Sequence, residues 1–384
     1  MTFYNAAQPI NILNTYTPYS VVEFLVKMPT GRMMKKGSLR VSGYLKVEKT
    51  NPLGVTTQID GTEGIFFNQF TGIHSLFLNT NTTINNRTVE SLQHYPRYVA
   101  MQSQHDGTPE TMITSSAHAS ELKGCLNNRL LVGNDATKGI SFSFKPHICI
   151  NKTASDLPQS KFQEIKVMWQ LGSAVDALYI AGGLPNPATI SALSYELTDL
   201  QLSWMEAPED KSLVSQPTAM NSVFNMVQTI TGLNNNIQIN SATAFDSLSM
   251  SFLHQSSKNN LYKDALLCEY VCDISRVEFL VNGQDAPLTY AILPPCYQDI
   301  ALNYNNSLST SGSVIWKTTV AEKNSIMNRF LSENGCFGVG VLFKTAINEK
   351  LQVALTLSDN ISDANNPSAN PIDCFIYING YLTL

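Results

Sequence analysis

Alternation of apolar and polar residues is the strongest pattern along the chain. In GSLRVSGYLKVE (residues 37–48), one face carries Leu39, Val41, Leu45 and Val47. This period of two residues is typical of a half-buried antiparallel strand. The same period recurs in five further segments: ISFSF (140–144), EIKVMWQL (164–171), SLSMSF (247–252), LQVALTL (351–357) and DCFIYINGYLTL (373–384). The pattern therefore predicts that strands dominate both halves of the chain.

One of the predicted strands is irregular. In SYELTDLQLSW (194–204) the apolar phase slips between Leu197 and Leu200. Such a slip indicates one extra residue in one strand of a pair. The sequence therefore predicts a β-bulge at this point.

Two segments have helical rather than strand spacing. In SQPTAMNSVFNMVQTITG (215–232), Ser215 and Pro217 suit a helix start, and Gly232 suits its end. The apolar stripe between them has spacings of three and four and consists of Met220, Phe224, Val227 and Ile230. The segment 322–334 has a similar face, made by Ile326, Met327, Phe330 and Leu331. We predict a helix in each segment.

The first predicted helix follows a charged turn, EAPEDK (206–211), which makes a natural domain boundary. We therefore predict an N-terminal domain over 1–213 that includes an N-terminal arm, a connector helix over 214–232 and a C-terminal domain over 233–384. Long polar loops interrupt both domains at 103–138, 172–193, 295–312 and 358–371. Loops of this length are uncommon in compact domains unless they have a function or are held by partners.

Composition narrows the function classes. Of 384 residues, 43% are apolar but only 14% are charged, and the net charge is −5. A chain with this charge has no overall basic field for phosphate binding, which argues against specific nucleic-acid binding. The chain shows neither an apolar run long enough to cross a bilayer nor the features of a signal peptide, so we expect synthesis in the cytosol.

The metal-ligating residue types are scattered. The six histidines are His74, His94, His105, His118, His147 and His254, and the seven cysteines are Cys125, Cys149, Cys268, Cys272, Cys296, Cys336 and Cys374. No two histidines have the spacing of paired ligands on one helix turn or one strand, and Cys268 and Cys272 are one position too far apart for a zinc knuckle. We predict reduced, mostly buried cysteines and no metal site.

No set of residues points to catalysis. Two groups of carboxylates come nearest to an acid–base pair: Glu196 with Asp199, and Glu206 with Glu209 and Asp210. A solvated turn explains the second group. The glycines of GCFGVGVLF (335–343) lie inside an apolar strand pattern, where close packing explains them. We therefore predict no catalytic residue and no cofactor.

Two surface motifs have simple explanations as well. The basic stretch GRMMKKGSLR contains Arg32, Lys35, Lys36 and Arg40, and suits either a solvated turn or contact with an anionic surface. Asn-x-Ser/Thr sites occur at Asn81, Asn86, Asn151, Asn305 and Asn360. Such sites matter only in a secreted protein.

Many strands joined by long polar loops suggest jelly rolls, which are sandwiches of eight strands in two sheets. Two in tandem, without a catalytic set, resemble the double jelly-roll major capsid proteins of tailless icosahedral viruses, the lineage of tectiviruses and adenoviruses. LPQSKFQEIKVMW (157–169) is similar to the approach to a late strand of the first roll, and 67–99 to an early strand and turn. The helices at 215–232 and 322–334 match a connector and a helix before the closing strands of the second roll.

The resemblance implies an all-β fold of two tandem eight-stranded jelly rolls, with a connector helix and a short helix in the second roll. It implies a non-enzymatic structural protein that forms homotrimers, which tile an icosahedral capsid in the virion after synthesis in the host cytoplasm. The implied partners are identical copies, neighbouring capsomers and minor capsid, penton or cement proteins, while contact with an internal membrane is left open. Loops 103–138 and 295–312 would lie on the outer face.

Two other functions remain open at this point. A carbohydrate-binding protein or a glycan amidase can also have two jelly rolls, but that class is normally secreted and would need disulfides, calcium ligands or a paired acid. A minor capsid or spike protein of a similar virus would share the fold, and fold alone does not separate it from a major capsid protein.

Overall fold

The computed structural model describes residues 2–59, 64–106, 120–124, 126, 139–180, 190–240, 244–269, 274–285, 303–304, 306–308, 337–357 and 366–383. The predicted helix at 322–334 lies outside the described residues, as do most of loops 103–138 and 295–312. Within the described residues the chain divides into two compact units. Unit 1 comprises residues 1–222, 259–266 and 382–384, and unit 2 comprises 223–258 and 267–381.

Unit 1 consists mainly of strands. Its strands are β1 (Phe3–Ala7), β2 (Val21–Val26), β3 (Arg32–Met34), β4 (Arg40–Thr50), β5 (Thr56–Gln58), β6 (Ile65–Phe67), β7 (Phe77–Ile84), β8 (Arg87–Leu92), β9 (Ile140–Phe144), β10 (Leu157–Pro158), β11 (Ile165–Leu171), β12 (Leu178–Ile180) and β13 (Ala192–Pro208). Its α-helices are α1 (Tyr95–Asp106), α2 (Ala174–Ala177) and α3 (Lys211–Val214), and its 3-10 helices are Gly72–Leu76, Cys149–Lys152 and Gln159–Lys161.

Two antiparallel sheets make up most of unit 1. In the first, β13 pairs with β1, β3 and β4, while β4 also pairs with β5 and β9, and β3 with β10. The second has the order β2–β11–β7–β8. The hairpin between β7 and β8 turns at Asn85 and Asn86, both with positive φ (50° and 63°), which asparagine tolerates better than most residues.

The core of unit 1 lies between these sheets. Alternate residues of β11 are buried, namely Ile165, Val167, Trp169 and Leu171, as the period of two predicts. The Trp169 ring packs edge-on against Phe24 and Phe77, each at 5.9 Å between centroids. Phe77 contacts Phe144 of the first sheet at 5.0 Å. These aromatic contacts join the two sheets into one sandwich.

The predicted bulge in β13 is confirmed. The register against β4 shifts between Thr198 and Gln201. Asp199 lies inside the shift with φ of 51°, a left-handed conformation in which aspartate is enriched. The extra residue restores the apolar phase, so that Leu197 and Leu200 are both buried.

Unit 1 also contains a segment that is distant in the sequence. Residues 259–266, which we call the return segment, belong to unit 1 although the residues on either side belong to unit 2. The Asn68 side chain donates to a carboxylate oxygen of Asp264 at 2.7 Å, and the Arg97 guanidinium donates to the Ala265 carbonyl at 2.6 Å. The return segment is therefore held by buried polar contacts.

The predicted connector helix at 214–232 is wrong. This segment forms a strand, β14 (Ala219–Ile230), whose first four residues belong to unit 1 and the rest to unit 2. The Ala154 amide bonds to the Ala219 carbonyl in unit 1, and the Thr229 hydroxyl bonds to Asp373 in unit 2. Because Met220 to Val223 are all buried, the segment lacks the alternation by which strands are recognised.

Unit 2 has two antiparallel sheets. Its strands besides β14 are β15 (Asn234–Ile239), β16 (Phe245–His254), β17 (Ile274–Val281), β18 (Gln284–Asp285), β19 (Val339–Ile347), β20 (Leu351–Leu357) and β21 (Ile372–Thr383), with a 3-10 helix at Gln255–Ser257. One sheet has the order β19–β16–β21–β14 and the other β15–β20–β17–β18. Alternate residues of β20 are buried, as predicted.

Strand β16 departs from simple alternation. Leu248, Met250 and Phe252 are buried as predicted, but so are the serines between them. On the neighbouring β19, a Cβ at Gly340 would overlap the Ser307 hydroxyl, and one at Gly338, just before β19, would overlap the Tyr304 ring. Gly338 and Gly340 therefore allow Tyr304 and Ser307 to pack directly against this part of the chain. The predicted close packing is confirmed at these two glycines.

Candidate functional site

The most chemically reactive residue types of unit 1 meet in its core. The Tyr95 hydroxyl accepts a hydrogen bond from the His147 amide at 3.0 Å and lies 2.8 Å from Nδ1 of His74. Nε2 of the same imidazole is buried and has no hydrogen-bond partner among the described residues. Nearby, the Glu90 carboxylate accepts from the Cys149 amide at 2.8 Å.

The electrostatics of this core cluster oppose nucleophilic or acid–base chemistry. Burial raises the pKa of the Cys149 thiol well above its usual value, and the Glu90 charge raises it further. A thiol with a raised pKa is protonated at neutral pH and is a poor nucleophile. Burial also lowers the pKa of both His74 and His147, so each imidazole stays neutral. The cluster is a polar network in the core of unit 1.

The neutral imidazoles predict a loss of stability in mild acid. Burial, with repulsion from Lys152, Lys123 and Lys145, lowers the pKa of His147 to about 3. Since the unfolded imidazole has a pKa near 6.5, unfolding takes up a proton below that pH. The free energy of unfolding therefore falls as the pH drops through 6.5, by about 1–2 kcal/mol from His147 alone between about pH 7 and pH 5.

Urea-unfolding midpoints measured across this pH range test the prediction. A His147→Gln variant serves as the control, because it cannot charge and should show a shallower dependence on pH. Asp264 acts in the opposite sense below pH 6, since burial raises its pKa to about 6, so the comparison must be made with Asp264 intact in both proteins. The prediction would be contradicted if the urea-unfolding midpoint depended on pH equally in the two proteins.

The carboxylates considered from the sequence serve structural roles. Glu206 accepts hydrogen bonds from the Trp204 indole at 2.8 Å and from Asn5 at 2.7 Å. Asp210 caps α3 by accepting from the Ser212 amide at 2.9 Å, and its bonds with Ser212 lower the pKa of that carboxyl. Glu196 and Asp199 lie on β13 at the bulge. Among the described residues, no three His, Cys, Asp or Glu side chains are grouped to hold a metal ion.

The basic stretch is largely engaged within the protein. Lys35 lies 2.5 Å from an Asp156 oxygen, and Arg32 lies over the Phe3 ring at 4.4 Å. Arg40 donates to the Ser143 hydroxyl at 3.1 Å. These contacts match the interpretation of a solvated turn fixed to neighbouring strands.

The polar residues before β11 contact another part of unit 1. Gln159, Ser160 and Lys161 form a single 3-10 turn, in which the Ser160 hydroxyl donates to Glu209 at 2.9 Å and the Lys161 ammonium donates to the Gln216 carbonyl. This segment therefore holds the chain that follows β13.

An apolar surface at the start of the chain is the clearest functional feature. The described residues include twelve exposed large apolar side chains, and seven of them fall within the first 21 residues: Phe3, Tyr4, Ile10, Ile12, Leu13, Tyr19 and Val21. We call residues 2–22 the N-terminal arm. The sequence predicted an arm at the start of the N-terminal domain but not the exposure of these seven side chains, which lie among residues without charge.

The backbone of the arm is fixed while its apolar side chains face solvent. Strand β1 pairs with β13, the Ile10 amide donates to the Glu23 carbonyl at 2.7 Å, and the Tyr16 hydroxyl donates to the Asn11 carbonyl at 2.6 Å. Exposed apolar groups gathered in one region mark interaction surfaces more often than isolated ones do. The arm is therefore the candidate functional site. None of the described helices has the length and apolar character of a membrane-spanning segment.

Comparison with proteins of known structure identifies the fold. No protein-family model matches the chain, and no curated protein matches it. The Faustovirus major capsid protein matches with a TM-score of 0.59 at 8% identity, over 100% of this chain and 90% of that protein. A chain of the Sputnik virophage, solved by cryo-electron microscopy, gives 0.58 at 12% identity over 100% and 86%. The mavirus major capsid protein gives 0.53 at 10% identity over 99% and 90%.

These matches extend over both units. At such low sequence identity they establish the fold, and they confirm the sequence-based prediction of an all-β double jelly roll. The connector helix is the part of that prediction that the structure overturns.

Proposed function

We propose that the protein is a structural capsid protein whose copies form trimers that tile an icosahedral shell. The observation that carries this proposal is the whole-chain likeness to major capsid proteins of Faustovirus and mavirus, which covers at least 99% of this chain. Fold alone does not assign a function, so the properties of the surface matter as well.

The surface and the core both support a structural role. Seven exposed large apolar side chains lie on the N-terminal arm, where burial against another protein would stabilise an assembly. In the core cluster of unit 1, the raised pKa of Cys149 and the lowered pKa of His147 disfavour nucleophilic and acid–base chemistry. Repeated burial of a surface by symmetry is the way in which shells form. On this proposal the protein is not an enzyme.

The remaining parts of the proposal follow from the capsid role. The two jelly rolls are tandem domains, with the first running through β13 and the second starting within β14. The site of action is the virion shell, with synthesis in the host cytoplasm. Neighbouring capsomers and minor capsid, penton or cement proteins are the partners, and an underlying membrane is a further contact to test. No feature of the described residues favours the carbohydrate-binding alternative.

The oligomeric mass tests the proposed function. We expect the purified protein to give a light-scattering mass of three times the 42.3 kDa chain, or larger assemblies at high concentration. Electron microscopy of the same sample should show pseudo-hexagonal particles, because six jelly rolls surround the axis of each trimer. A protein that stays monomeric at every concentration would contradict the proposal.

A further inference from the structure

Strand β1 has one edge that the described residues leave unpaired. The orientation of its backbone follows from its partner strand, β13. The Lys35 amide donates to the Met205 carbonyl at 2.9 Å, and the Met205 amide donates to the Ser38 hydroxyl at 3.2 Å. The backbone groups of Met205 thus point away from β1. Tyr4 lies opposite Met205, so the N–H and C=O of Tyr4 point away from β13, towards the unpaired edge.

The same geometry applies two residues further along. Ala6 lies opposite Ser203 and shares the orientation of Tyr4, so its N–H and C=O also face the unpaired edge. Both residues are exposed, and Tyr4 keeps 80% of its accessible surface. Within the part of the chain that the structure describes, β1 pairs with β13 alone.

This edge lacks the usual protection against pairing. Natural sheets guard exposed edges with charged side chains, proline or bulges. Strand β1, FYNAA, has none of these, and the whole arm from 2 to 22 contains no charged residue. An ordered, uncharged edge with exposed apolar side chains is suited to receive another strand.

We propose that β1 pairs antiparallel with β1 of a second copy of this chain, a contact that rests on the proposed function. Pairing about Asn5 places Tyr4 of each copy opposite Ala6 of the other, so the large ring covers a small side chain. Each such pair exchanges two backbone hydrogen bonds. The contact is two-fold symmetric, because the same residues contribute from both copies.

The chemistry of the arm selects a protein partner of this kind. Binding to anionic lipid or nucleic acid depends on lysine and arginine, which are absent from residues 2–22. A self-complementary edge needs only a second copy, which a shell supplies at high local concentration. Ile10 and Ile12, which are 53% and 71% exposed, lie just beyond β1 and add apolar surface to the contact.

Two substitutions test the contact without disturbing the fold. Ala6→Pro removes an outward N–H that β13 does not use, and proline is tolerated on edge strands. Tyr4→Ser removes the ring and leaves the backbone intact. We expect each to weaken association between trimers about tenfold or more, measured by sedimentation velocity, with trimers and thermal midpoints unchanged. The matched control is Leu53→Ser with Val55→Ser, which removes two apolar side chains that are 88% and 54% exposed in another turn.

The outcomes separate the contact from the proposed function. Loss of association in both arm variants but not in the control supports the β1 contact. Trimers of Ala6→Pro that associate like the wild type would overturn the contact and leave the capsid role intact, and so would an equal loss in the control. A wild-type protein that never forms trimers would overturn the capsid role itself.

Discussion

Replacing Arg97 with methionine is expected to lower the free energy of unfolding of unit 1 by about 3–5 kcal/mol at about pH 7.5. Only 2% of Arg97 is exposed, and its guanidinium donates to the Ala265 carbonyl at 2.6 Å. Its charge also lowers the pKa of the buried Asp264 carboxyl, which accepts from Asn68 and from the Leu266 amide. Methionine would leave that carboxylate buried without the opposing charge.

The dependence of this loss on pH identifies its cause. Burial raises the pKa of Asp264 to about 6, above its unfolded value of 3.8, so this group favours folding most when it is protonated. Removing Arg97 raises that pKa further. The loss should therefore be largest above the native pKa and should shrink towards about pH 5, where Asp264 takes up a proton.

Urea unfolding followed by tryptophan fluorescence measures the effect, since Trp169 and Trp204 lie in unit 1. Arg40→Met is the control: it removes an exposed arginine that contacts Ser143, and should change stability by no more than about 0.5 kcal/mol. Adding Asp264→Asn to Arg97→Met should recover part of the loss, because no charge remains buried. A loss that is equal at both pH values and unchanged in the double variant would show that Arg97 acts through packing alone.

The second large effect is expected at Trp169, the residue that joins the aromatic contacts of unit 1. Its side chain is fully buried and packs edge-on against Phe24 and Phe77. Trp169→Ala would open a cavity between the two sheets and should cost about 3–5 kcal/mol of the free energy of unfolding. Circular dichroism during urea unfolding measures it without relying on the lost fluorophore.

Trp169→Phe is the matched variant. It keeps an aromatic ring in place and removes the indole N–H, which is buried without a hydrogen-bond partner among the described residues. The cost should be only about 1–2 kcal/mol, because the lost volume is partly offset by removing an unpaired donor. Equal losses for alanine and phenylalanine would contradict the expectation that ring volume stabilises this position.

The sequence predicted much of the strand structure because burial on one face leaves a visible period of two. Ile165, Val167 and Trp169 were identified in this way, and the bulge near Asp199 was identified from a change of phase. Side chains that face a single core reveal their strand without any knowledge of its neighbours. The dominance of strands could be predicted for this reason, whereas the double jelly roll was predicted from the resemblance to a family.

Strand β14 was missed because its surroundings change along its length. Residues near Met220 are buried on both faces, residues near Phe224 are half-buried, and Gln228 and Thr229 are exposed. The resulting apolar residues are spaced by three and four positions, which is the spacing typical of a helix. The β-branched Val223, Val227 and Ile230 favour a strand, but propensity of this kind depends on which neighbours are present.

The exposed apolar side chains of the N-terminal arm were not predicted, for a different reason. The apolar residues of the arm, such as Tyr4 and Ile12, cannot be identified as exposed from their type alone. Exposure depends on whether another element covers them, which is a property of the assembled fold. Likewise, nothing local in the sequence near Asp264 indicates that Arg97, far earlier in the chain, lies beside it.

The return segment has a consequence for the order in which the protein can fold during translation. Arg97 and Asn68 leave the ribosome well before residues 259–266, which supply Ala265 and Asp264 as their partners. Until then the Arg97 guanidinium and the Asn68 amide lack these contacts, although residues 1–222 are already synthesised. The first jelly roll is therefore completed only after translation of the second has begun, and a nascent chain halted after residue 222 remains an intermediate rather than a finished domain.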